Sequence, residues 1–223
     1  EILRCLVGSE MCIRDSNKTT IEGVEFDLLD STGKNIIKHV KTDKNGKAEI
    51  KNLDIGKYIL RETKTRKEYK IALEQNITIE WGKTLNLTIE NEKMKGKVKI
   101  TKISEDDNLI TGEVAGTPIA NVKFEIYDDS GKLVDTLITK ADGIAISKDL
   151  VVGKYIVKEK ETGEYYEINE NDFEVEITKN GEVVGLTISN KSKTPPPEKP
   201  KEETPKIEVP PIEPIKKLPV TGY

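Results

Sequence analysis

At 223 residues the chain holds one large or two small domains. Charged residues make up 34% and hydrophobic ones 35%, so any core is modest. The 36 basic and 40 acidic residues are interspersed and leave a net charge of −4, which excludes a basic patch for nucleic acid and a polybasic membrane segment; no apolar run approaches the length that spans a bilayer.

Residues 1–16, EILRCLVGSEMCIRDS, match nothing later in the chain and lack strand alternation. They read as a non-native or artefactual segment and are set aside from the fold. Both cysteines, Cys5 and Cys12, lie there, so a disulfide scaffold and a Cys-based zinc site are excluded for the rest. The chain starts at Glu1 rather than Met and reads as part of something longer.

From Gly23 the pattern is β. Val24, Phe26 and Leu28 alternate with Glu25 and Asp27, and Asp30-Ser31-Thr32-Gly33 is turn chemistry. A second strand over 36–40 follows, then an Asn45-Gly46 turn. The strand GKYILRE, Gly56 to Glu62, comes next, and Leu87, Ile89 and Asn91 close the segment. The same order then repeats. Val122, Phe124 and Ile126 match the first strand, Asp142-Gly143 the turn, GKYIVKE at Gly153 to Glu159 the central strand, and Leu186, Ile188 and Asn190 the close. Short strands with turns about every ten residues predict an all-β fold of two tandem sandwich domains, 17–93 and 94–193. The second opens with a strand, Lys97 to Ile103, that the first lacks on this reading. The single His39 is expected as an exposed or half-exposed strand residue.

Residues 194–217 carry eight of the ten prolines with five lysines and five glutamates. They have no apolar mass to bury and read as a disordered, extended spacer. The chain ends on 218–223, LPVTGY.

Strand periodicity puts Lys102 on the face of Val98 and Ile100, Glu159 on the face of Tyr155 and Val157, and Asn190 on the face of Leu186 and Ile188. Three polar residues therefore continue the apolar faces of three different strands. One reading is a buried Lys102–Glu159 ion pair with Asn190 as a hydrogen-bond partner. Another places all three at the sandwich rim, in reach of water. A third is chemical. Desolvation favours a neutral amine and a protonated acid. A neutral Lys102 amine is a nucleophile, Glu159 serves as acid/base by polarising the amide and shuttling protons, and attack on Asn190 expels ammonia. The resulting Lys102–Asn190 isopeptide bond closes a loop of 88 residues (190 minus 102). By analogy with a disulfide of that span it contributes about 4–5 kcal/mol.

These residues resemble the Cna protein B-type, prealbumin-like repeat of Gram-positive surface proteins and pilins, in two copies over about 17–193. ITK at Ile100 to Lys102, GKYIVKE, and TISN at Thr187 to Asn190 match where that family places its isopeptide lysine, acid and asparagine. The resemblance implies Greek-key, Ig-like sandwiches. In the first repeat Glu62 and Asn91 match, but no lysine sits on a matching opening strand, so no bond is expected there. Leu218, Pro219, Val220, Thr221 and Gly222 resemble the sortase recognition motif, cut between Thr221 and Gly222. The resemblance implies a secreted, cell wall-anchored chain whose partners are sortase, peptidoglycan joined through Thr221, and host extracellular matrix met through an N-terminal region absent here. With no Cys/His or Ser/His/Asp set, no metal cluster and no phosphate loop, neither a cofactor nor an enzyme acting on outside substrates is expected. A stalk of an adhesin-type surface protein is the favoured reading, and a pilus subunit the alternative.

Overall fold

A computed structural model describes residues 9–15 and 17–194, with side chains from Met11 onward. The proline-rich spacer from Pro195, the LPVTG motif and Cys5 lie outside the described residues. All regular structure among the described residues is strand.

The first domain packs two sheets. One has the order β3-β2-β5-β6, from Ile36–Lys41, Glu25–Asp30, Gly56–Lys64 and Gln75–Ile79. The other has the order β4-β1-β7, from Lys47–Ile50, Ser9–Asp15 and Leu85–Asn91. In the second domain β10-β9-β13-β14 come from Leu133–Ile138, Lys123–Asp128, Gly153–Glu161 and Asp172–Ile177. Its facing sheet is built on β8, Lys95–Ser104. β11 (Ile144–Ile146) and β12 (Leu150–Val151) pair antiparallel with β8, and β15 (Val183–Asn190) pairs with it in parallel.

Alternation explains the cores. Phe26 and Leu28 point inward from β2 between half-exposed Glu25 and Asp27, and Phe124 and Ile126 do the same from β9. They join Leu60, Ile77 and Ile89 in one core and Val157, Ile177 and Ile188 in the other. The first hairpin of each domain turns on an aspartate. Asp30 Oδ1 accepts from the Thr32 amide at 3.1 Å, and Asp128 Oδ1 from the Ser130 amide at 3.0 Å. A buried threonine then ties each β2- or β9-type strand to the segment before it. Thr42 Oγ1 accepts from the Val24 amide and donates to the Ile21 carbonyl, both at 2.9 Å. Thr139 repeats this with Val122 and Ile119, at 2.9 and 2.8 Å.

One expectation is corrected. The sequence alone sets residues 1–16 aside and leaves the first domain without an opening strand. Instead Ser9–Asp15 is the central strand of a sheet, antiparallel to β4 and parallel to β7. Met11, Ile13 and Asp15 are buried on one face, and Cys12 and Arg14 lie between them. The apolar spacing Met11-x-Ile13 is too short to register as a strand pattern by itself. The sheet edges of β4 and β7 make it one, because unpaired backbone groups there would be costly. His39 is exposed on β3, with Nδ1 2.7 Å from Asp27 Oδ1.

Candidate functional site: a buried amine, acid and amide

Three strands meet at the candidate site of the second domain. β8 supplies Lys102, β13 supplies Glu159 and the end of β15 supplies Asn190. The parallel register of β8 with β15 sets Lys102 beside Ile188 and Ser104 beside Asn190, which brings the long lysine side chain level with the asparagine. Glu159 arrives from the opposite sheet, paired with Phe124 on β9.

All three side chains are buried. Lys102 is 0%, Glu159 5% and Asn190 2% exposed, so they do not reach water at the rim. Lys102 Nζ lies 2.9 Å from Glu159 Oε2 and donates to Asn190 Oδ1. Asn190 Nδ2 donates to Glu159 Oε1 at 2.5 Å and to Thr162 Oγ1 at 2.8 Å. The Lys102 ammonium is 5.9 Å from the Phe124 ring centroid, so one side of it faces an aromatic wall. Burial holds the amine below the usual lysine range, and Glu159 opposes that only in part. The acid thus lies between the two nitrogens: Oε2 is within ion-pair distance of the amine without an aligned hydrogen bond, and Oε1 accepts from the nitrogen that would leave.

The backbone of Lys102 is clamped. Its amide donates to the Gly143 carbonyl at 2.8 Å, and its carbonyl accepts from the Ile119 amide at 3.0 Å. Gly143 has φ +70, and an added Cβ would run into the Lys102 carbonyl oxygen. Gly143→Ala is therefore expected to cost about 1–3 kcal/mol and to displace β8 at the lysine. Urea unfolding of the second domain checks this.

The first domain holds the same arrangement without the amine. Glu62 pairs with Phe26, and Asn91 ends β7. Ile13 stands where Lys102 stands. Its amide donates to the Gly46 carbonyl at 2.7 Å, its carbonyl accepts from Ile21 at 3.2 Å, and it is in register with Ile89. Asn91 Nδ2 turns to both oxygens of Glu62, at 2.7 and 3.0 Å, and to the Lys70 carbonyl at 2.9 Å. Asn91 Oδ1 is buried with no hydrogen-bond partner among the described residues, which is the position the lysine of the second domain fills.

Sequence reasoning brought out Lys102, Glu159 and Asn190 but missed two features. It did not place Ile13 at the lysine position. It also passed over Thr162, although a threonine follows the acid by three residues in both repeats, as Glu62 with Thr65 and Glu159 with Thr162.

Two tandem sandwiches, each carrying an acid and an asparagine on facing strands, define a prealbumin-like repeat protein. The chain belongs to the SpaA prealbumin-like fold domain family, which matches residues 13–93 and 96–192. It is 33% identical over 81 residues to the trypsin-resistant surface T6 protein of Streptococcus pyogenes serotype M6, over 36% of this chain and 15% of that protein. It is 34% identical over 99 residues to a collagen adhesin of Staphylococcus aureus, over 38% of this chain and 8% of that one. The chain thus spans less than a sixth of the length of either relative. The Bacillus anthracis TIE protein superposes with a TM-score of 0.72 at 28% identity, covering 84% of this chain and 34% of that one. The C-terminal fragment of the pilus adhesin SpaC from Lactobacillus rhamnosus GG shares the fold, with a TM-score of 0.58 at 14% identity over 86% and 99% of the two chains.

Proposed function

We propose that this chain is part of the stalk of a sortase-anchored Gram-positive surface protein, and that its second domain is welded by a Lys102–Asn190 isopeptide bond. The single observation that carries the bond is the contact of amine, acid and amide in one buried spot. The step balances within the chain. Glu159 Oε2 takes a proton from Lys102 Nζ, which leaves a neutral amine and a protonated acid. The amine lone pair attacks Asn190 Cγ, and the Nζ–Cγ bond forms. One proton lost by Nζ passes through Glu159 to Nδ2, the Cγ–Nδ2 bond breaks and ammonia leaves, while the second proton stays on Glu159. The β-sheets hold the reactants together before the step, which supplies much of the rate. Asn190 borders a surface cavity of about 340 Å³ that gives ammonia a way out. The bond forms once per chain, so the chain is not a turnover enzyme. An extracellular, wall-associated location accords with the surface proteins it resembles, and LPVTG would make it a sortase substrate joined to peptidoglycan through Thr221.

A pilus subunit is the second reading, favoured by the pilus adhesin among the similar folds. Contact with host matrix would belong to a region N-terminal to these domains.

Intact mass tests the bond. The chain is expected about 17 Da below its sequence mass, one ammonia lost by amine attack on an amide, with Lys102 and Asn190 in one branched peptide after digestion. Full mass overturns it. A ladder of high-mass polymers in wall extracts would favour the pilin, and a single anchored species the stalk.

A further inference from the structure

We infer that Thr162 is a positioning residue for the crosslinking step, holding the leaving nitrogen of Asn190; this rests on the isopeptide reading above. A carboxamide has two N–H donors and one carbonyl acceptor. At Asn190 all three polar corners are held by different partners. Glu159 Oε1 accepts one N–H at 2.5 Å and Thr162 Oγ1 accepts the other at 2.8 Å, while Oδ1 accepts from Lys102. With a looser grip the amide could turn about its Cβ–Cγ bond and tilt the carbonyl plane out of the amine's line of attack. The second acceptor fixes the plane of the amide. It also fixes which end faces the acid, so the group beside Glu159 is the one that must be protonated and expelled.

The first domain shows what happens when this grip loosens. Thr65 occupies the place of Thr162 but lies 3.5 Å from Asn91 Nδ2. There the nitrogen is taken by the second oxygen of Glu62 and by the Lys70 carbonyl. The threonine contact is close in the domain that has the amine and long in the one that does not. Thr162 sits beyond the end of β13 and is half-buried, and its hydroxyl reaches back over the strand end. It donates no proton to the reaction. Its oxygen accepts a hydrogen bond from the nitrogen as ammonia forms and departs.

The test uses the full chain made by cell-free synthesis, with the fraction of ammonia lost read by intact mass over time. Thr162→Val keeps the shape and removes the hydroxyl, and Thr162→Ser keeps the hydroxyl. The valine variant is expected to crosslink about tenfold more slowly, the effect of one lost orienting hydrogen bond on a barrier. The serine variant is expected within about twofold of the parent. To separate positioning from stability, Thr162→Val is also placed on Lys102→Met/Glu159→Leu/Asn190→Leu, which has no amine, acid or amide, and its melting temperature is expected not to fall. A valine variant at the parent rate, a serine variant as slow as valine, or a lowered melting temperature on the unreactive background overturns the assignment. A parent that keeps its full mass instead overturns the isopeptide reading, and this assignment with it.

Discussion

Lys102→Ala is expected to keep the full sequence mass and to lose more stability than any surface substitution in the second domain. Two losses combine. Glu159 loses the Lys102 nitrogen beside it and becomes a buried acid without that partner, which costs about 1–3 kcal/mol. The closed loop between residues 102 and 190 opens, which removes about 4–5 kcal/mol of chain-entropy stabilisation. For a domain of this size even half that sum lowers the melting temperature by roughly 10 °C or more. A companion double variant, Lys102→Met/Glu159→Leu, separates the two. It removes the stranded acid and refills the space, so it should recover most of the first loss and none of the second. Calorimetry on the three chains reads both. If Lys102→Ala melts within a few degrees of the parent, there is no weld.

Ile13→Lys is expected to do the reverse in the first domain, installing a bond where none forms now. Ile13 has the backbone contacts and strand register of Lys102, and Asn91 Oδ1 is buried with no donor among the described residues. Glu62 is already within hydrogen-bond distance of Asn91. A lysine there supplies the missing amine, desolvated by the same packing. The chain should lose a further 17 Da or so, one more ammonia. The new loop of 78 residues (91 minus 13) should stabilise the first domain by about 4–5 kcal/mol. Glu62→Gln in the same chain should block the mass loss, because the glutamine cannot take the proton from the amine. A folded Ile13→Lys chain at full mass would show that position 13 does not reproduce the geometry at Lys102.

Much of this was legible in the residues. The two copies of GKYI[LV][RK]E, the Asp-x-x-Gly turns and the closing asparagines report tandem β domains because a strand buries every second residue and a turn needs positive φ, and both leave periodic marks. The polar residues that continue the apolar faces at 102, 159 and 190 were visible by the same parity.

What only the tertiary structure decided was proximity and partner choice. The parallel pairing of opening with closing strand joins residues 88 apart, and no local pattern encodes it. The strand at Ser9–Asp15 has too little alternation to be read alone; it exists because β4 and β7 present unpaired edges on either side of it. The role of Ile13 and the grip of Thr162 follow from that packing, since a hydrogen bond depends on where atoms meet in space, whereas periodicity records only which way a side chain points.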